Sequence, residues 1–116
     1  MSVDLDLIMQ NITQKFSGIY FLLITTENGV VERSYINEDE FNPAKIAINM
    51  SMTYESSEDI TSEIGIEKPD FSLIHSQNFY ILSMKILEHL IIILCDDQIN
   101  VSDIFTTIND CIVSSS

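Results

Sequence analysis

The segment from Gly18 to Ile36, GIYFLLITTENGVVERSYI, constrains the fold more than any other stretch of the chain. Ile19 to Ile24 is an unbroken apolar run of residues that suit a pleated strand. A strand apolar on both faces must be covered on both. Glu27-Asn28-Gly29-Val30 follows at once, and Asn-Gly between two strand-like runs predicts a two-residue type I′ turn with φ > 0 at both central positions. The second run, Val30 to Ile36, alternates instead. Val31, Arg33 and Tyr35 share one face, and Val30, Glu32, Ser34 and Ile36 the other. A mixed strand of this kind sits at or near a sheet edge. The hairpin therefore sets a central strand beside an outer one and demands helices above and below the sheet.

The flanking sequence supplies them. Ser2-Val-Asp-Leu-Asp opens a first helix, with Ser2 as N-cap and Asp4 and Asp6 near the positive end of its dipole. Leu5, Ile8, Met9, Ile12 and Phe16 form one apolar stripe, and Gly18 takes the left-handed conformation that stops the helix. Asn42-Pro43 starts a second helix that runs to Ile64, with Gly65 as its stop and Glu38-Asp39-Glu40 favouring its start. In its first turns Ala44, Ile46, Ala47, Ile48, Met50, Met52 and Tyr54 point around almost the whole circumference, whereas one sheet buries only one side. Two readings stay open: several of these residues are simply exposed, or a partner subunit lies on the outer face. The later acids, Glu55, Glu58, Asp59 and Glu63, read as a solvated face.

Three more strands form a meander: Phe71 to Ser76, Phe79 to Lys85, and Leu90 to Cys95, which is apolar throughout. They turn at Gln77-Asn78 and at Leu87-Glu88-His89. Asn100 or Ser102 caps a last helix with Val101, Ile104, Phe105, Ile108 and Ile112 on one face, and Ser114 to Ser116 is a frayed tail. The order is α-β-β-α-β-β-β-α in a single domain, residues 1–116, which is long enough for a substantial core.

Composition narrows the function. Five Lys plus Arg against eighteen Asp plus Glu give a net charge of −13. So acidic a surface repels phosphate backbones and anionic headgroups, which argues against nucleic-acid or membrane binding; it suits a basic partner or, more commonly, simply a soluble domain. No stretch is apolar for long enough to span a bilayer, and Met1 to Asp6 lacks the basic start of a signal peptide, so the expected compartment is the cytoplasm. Cys95 and Cys111 read as buried thiols in a reducing environment. Chemistry-bearing constellations are missing from the pattern. Gly18, Gly29 and Gly65 are too dispersed to cradle a phosphate. His75 is expected to face outward and His89 to sit at a turn, neither with companions at ligand spacing. Asp96-Asp97 reads as a solvated pair, and Cys95 has no cation to activate it. The expectation is no enzyme, no cofactor and no metal.

The order of elements, Gly18-Ile19 entering the first strand, the Glu27-Asn28-Gly29-Val30 turn, the long middle helix and the apolar strand Leu90 to Cys95 together resemble the roadblock family of dynein light chains and GTPase-associated scaffold proteins, over nearly the whole chain. Within it, Ile64-Gly65-Ile66-Glu67-Lys68 is similar to the linker of the kinase-scaffold subunit of Ragulator, the late-endosomal complex that anchors Rag GTPases. The turn Thr26-Glu-Asn-Gly-Val-Val departs from the family's more usual acidic-basic-acidic-Gly. The resemblance implies an α+β fold of the profilin- or longin-like kind. Its five-stranded antiparallel sheet carries the first and last helices on one face and the middle helix on the other. It also implies pairing with another roadblock protein through the middle helix and the adjacent edge strand. Ile46, Ala47, Met50, Tyr54, Phe71 and Leu73 are the candidate contact residues. The implied role is that of a non-catalytic scaffold for small GTPases and kinases, held at late endosomes or lysosomes through partner subunits. The alternatives are a homodimeric regulator of a Ras-like GTPase, a dynein-type light chain, and a ligand-sensing domain of similar architecture or an enzyme, either of which a closed apolar pocket with converging polar groups would support.

Overall fold

A computed structural model describes residues 3–37 and 40–115. The elements are α1 (Leu5–Lys15), β1 (Ile19–Thr26), β2 (Val31–Ile36), α2 (Pro43–Ile64), β3 (Ser72–Ser76), β4 (Phe79–Ile86), β5 (His89–Asp96) and α3 (Val101–Ser115). The strands form one antiparallel sheet in the order β2-β1-β5-β4-β3. The two continuous apolar runs, β1 and β5, lie side by side at its centre. Successive residues of these strands point to opposite faces and so feed two separate cores. On one face α1 and α3 pack Ile8, Ile12, Ile104, Ile108 and Cys111 against Leu22, Ile24, Ile91 and Ile93. On the other α2 packs Ala47, Met50 and Tyr54 against Phe21, Leu23, Leu90 and Ile92.

Several local expectations change. The expected cap Ser2 lies outside the described residues, as do Glu38 and Asp39. Asp4 is the N-cap of α1, accepting from the Leu7 N–H at 3.0 Å. That helix ends at Phe16 in an extended conformation, so Gly18 is no left-handed stop. Its role is close approach: a Cβ there would lie 3.0 Å from the Asp96 Cβ. α3 continues to Ser115 where a frayed tail was expected.

The hairpin between β1 and β2 also differs from the type I′ expectation. Only Gly29 has positive φ, at +86°. The Gly29 N–H donates to Thr26 O and the Thr26 N–H to Val30 O. This is a three-residue loop, Glu27-Asn28-Gly29, closed by a left-handed glycine. A register shift then sets Ile24 opposite Arg33 and Thr25 opposite Val31. Glu32 is the extra residue, and it breaks the predicted alternation. Val31 joins the α2 face while Tyr35 packs on the opposite core.

α2 follows the sequence closely. The Asn42 carboxamide accepts from the Lys45 N–H, Pro43 occupies the first turn, and Gly65 closes the helix at φ +87°.

Candidate interaction surface

The six predicted contact residues separate into two groups. Ala47, Met50 and Tyr54 are 0%, 7% and 3% exposed and belong to the chain's own core. The apolar positions all round α2 thus include one inward set that the sheet already covers, and these three are corrected from contact residues to core. Ile46 is half-buried at the flank of that core. Phe71 and Leu73 stay 44% and 41% exposed. The Phe71 ring leans on Phe105 of α3, centroids 4.6 Å apart. Leu73 stands opposite Leu82 on the α1/α3 face of the edge strand β3. Tyr54 and Phe71 meet along one open cleft of about 650 Å³, while Ile46 lies elsewhere.

Tyr54 anchors this corner. Its hydroxyl donates to Pro69 O at 2.9 Å and accepts from the backbone N–H of Lys85. Burial raises its pKa, and that backbone bond partly opposes the rise. Lys85 Nζ lies 3.3 Å from both oxygens of Glu58 and 5.7 Å from the centre of the Tyr54 ring. One side of α2 is thereby fastened to the end of β4.

On the other side of α2, sequence reasoning picked out only Ile46. Ile46, Asn49, Thr53, Ser57, Ile60 and Ile64 recur at spacings of three and four, so they line one stripe. No member of the stripe is charged. Its hydroxyls are satisfied within the helix, Thr53 donating to Asn49 O and Ser57 to Thr53 O. Ile60 and Ile64 are 55% and 67% exposed. Glu55, Glu58 and Asp59 lie around the helix from it, on the side that meets the β1–β2 loop, where Gly29 abuts Ala47, Ile48 and Ser51. The missing charge at heptad-like spacing was visible in the sequence.

Beside the stripe, the sheet face is only partly covered. A groove of about 480 Å³ runs between Tyr20, Phe41, Ser76, Phe79, Ile81 and Leu94, and Ile74 on β3 stands opposite Ile81 on the same face of the sheet. β3 itself is an open edge. Ser76 and Phe79 flank a two-residue turn and face each other across the ladder. Hydrogen-bonded pairs then fall at Ser76–Phe79, Ile74–Ile81 and Ser72–Ser83, and the backbone groups of Leu73 and His75 point away from the sheet.

The remaining candidates make pairs rather than sites. His75 Nε2 sits 3.1 Å from Asp97, and His89 Nδ1 2.7 Å from Glu32. Hydrogen bonds from His75 and Gln98 hold the Asp97 carboxyl below its usual range. Burial pushes the Cys95 thiol up to about 11, with Asp96 adding to it, so at neutral pH it is not a thiolate. Among the described residues no group of three or more His, Cys, Asp or Glu is placed to hold a metal ion. No helix among them is long and apolar enough to cross a membrane.

No protein-family model matches the chain, and no curated protein matches it by sequence. Solved structures do match. A Roadblock/LC7 domain from Streptomyces avermitilis superposes with a TM-score of 0.82 at 12% identity, over 96% of this chain and 93% of that one. Myxococcus xanthus MglB matches with a TM-score of 0.75 at 8% identity, over 90% of this chain and 81% of its own. An MglB described with a tetrameric arrangement matches with a TM-score of 0.77 at 7% identity, over 94% and 82%. With two helices on one face of a five-stranded antiparallel sheet and one on the other, the chain has the α+β roadblock fold.

Proposed function

We propose that this chain is a non-catalytic adaptor subunit that pairs with a second roadblock-fold chain, and that the pair forms a platform for small GTPases. The observation that carries this reading is the charge-free stripe of α2 beside a bare apolar groove and an open edge strand. A second subunit related by a two-fold axis would set stripe against stripe and cover Ile74, Phe79 and Ile81. It would also extend the sheet through β3, pairing the outward backbone groups of Leu73 and His75. Ile46 would be a contact residue of the helix seam, Phe71 and Leu73 would meet the partner only along the joined β3 edge on the opposite face of the sheet, and Ala47, Met50 and Tyr54 would brace the helix from beneath.

In its specific form the partner is a different roadblock protein, and the whole chain acts as one domain in the cytoplasm. The platform would serve Rag-type GTPases and kinases at late endosomes or lysosomes, reached through other subunits. The likeness of Ile64 to Lys68 to the Ragulator linker supports that form. A second reading, a homodimeric regulator of a Ras-like GTPase or a dynein-type light chain, draws on the fold shared with MglB, one structure of which has a tetrameric arrangement.

Light scattering across a dilution series tests both readings. A monomer that becomes a one-to-one complex when a second roadblock chain is added is the expected result. Ile60→Asp should abolish that complex with the circular dichroism unchanged. A homodimer that persists on dilution and is lost in Ile60→Asp would favour the self-pairing regulator. Assembly untouched by Ile60→Asp would sink the interface itself.

A further inference from the structure

The side of α2 opposite the proposed seam carries a second exposed apolar patch, framed by carboxylates. Val30, Ile48 and Met52 are 63%, 51% and 61% exposed. Ile48 and Met52 lie one turn apart on α2, and Val30 directly follows Gly29, which seats the β1–β2 loop on that helix: a Cβ at Gly29 would fall 3.0 Å from the Ile48 Cα. Next to the patch lies a hollow of about 220 Å³ whose lining includes Glu27, Asn28, Ser51, Glu55 and Glu58. Glu58 is already neutralised by Lys85 at its floor. Glu27 meets Lys85 only at 3.8 Å. Glu55 makes no ion pair among the described residues, and Asp59 stands exposed one turn further on. Lys45 is a turn before Ile48, at the far end from these acids.

We infer that this patch docks a cationic amphipathic segment of a partner protein, in which arginine or lysine side chains alternate with aliphatic anchors. Such side chains lay an apolar stem on an apolar surface and send the charged head to its rim. Here the stems would cover Ile48 and Met52, and the heads would reach Glu27, Glu55 and Asp59. Methionine suits this role because its flexible thioether adapts to different partners. Charge complementarity chooses the occupant: an acidic or neutral segment would bring nothing to Glu55 and Asp59, and the field of a chain at −13 would repel an anionic one. The inference does not depend on subunit pairing, since the patch and the seam lie on different sides of the helix.

The test uses the full isotopically labelled chain and a short helical peptide built of leucine and arginine, with a second peptide carrying glutamate for arginine. Amide shifts should cluster at Val30, Ile48, Met52 and Glu55 for the first peptide only. The double change Glu55→Gln with Asp59→Asn should weaken binding about five- to tenfold, as expected for two exposed ion pairs. Asp103→Asn with Asp110→Asn on α3 should leave it unchanged. Ile60→Asp, which tests the seam, should also leave it unchanged, so loss of pairing and loss of docking are separable. Equal weakening by the two double changes would mean unspecific attraction and overturn the proposal. Shifts clustering on the seam, or equal binding of the glutamate peptide, would overturn it too.

Discussion

Two glycines with nearly the same positive φ, Gly29 at +86° and Gly65 at +87°, face different surroundings. A Cβ on Gly65 meets nothing within 4 Å, whereas one on Gly29 would fall 2.8 Å from Ser51 Oγ and 2.9 Å from Ala47 O. Gly65→Ala should therefore cost only backbone strain, roughly 1 kcal/mol. Gly29→Ala must also push the loop off α2 and should cost roughly 3 kcal/mol. Urea unfolding of the two variants measures the difference. At Tyr54 the effect is one of pH. Its folded pKa lies above the unfolded one, so the neutral phenol is favoured in the native state. Its stabilising contribution is complete below about pH 10 and fades as pH climbs through the folded value. Tyr54→Phe should lose about 1–2 kcal/mol at neutral pH, because Pro69 O and the Lys85 N–H lose a partner. It should also flatten the alkaline decline in stability, read from denaturation midpoints between neutral pH and pH above 10.

At the scale of elements, α2 and β3 share one property: each has a finished side and an unfinished side. α2 is fixed by its inward residues and by the Lys85–Glu58 pair, and leaves a charge-free stripe open. β3 is paired along one edge and bare along the other. Proline on an edge strand is tolerated where the N–H it removes points outward. Leu73→Pro should accordingly leave the β3–β4 ladder in place and cost the isolated subunit little. It should weaken assembly by removing a backbone donor from the open edge, which sedimentation of the mixed chains would reveal. If the complex tolerated proline at Leu73 fully, the edge strand would not be part of the contact.

For the molecule as a whole, charge acts over distances comparable with its size. The chain measures 38 × 36 × 26 Å and carries −13. Between about 0.01 M and 1 M salt the screening length falls from about 30 Å to about 3 Å. At the low end, carboxylates on opposite sides of the molecule repel one another, and the folded state bears most of that repulsion because it is compact. Added sodium chloride should raise the melting temperature by several degrees, whereas docking of the arginine peptide should weaken over the same range. Opposite salt trends in one protein would distinguish self-repulsion from attraction to a partner.

Much of this architecture was legible in the chain. The apolar runs Ile19–Ile24 and Leu90–Cys95 could only be central strands, Asn42-Pro43 and Gly65 bounded α2, and the spacing of Ile104 and Ile108 gave α3 its buried face. These signals are local: turn chemistry, caps and periodicity act within a few residues, and a single sequence displays them. Other features depended on what stands opposite in space. The hairpin closes through a three-residue loop whose glycine seats against α2, and Glu32 is the extra residue where β2 pairs with β1. Ala47, Met50 and Tyr54 looked equivalent to Ile48 and Met52 in a helix apolar all round. Only packing on Phe21, Leu23 and Ile92 turned the first three inward and left the others at the surface. Periodicity tells which residues share a side of a helix; which side meets the sheet is decided by the sheet.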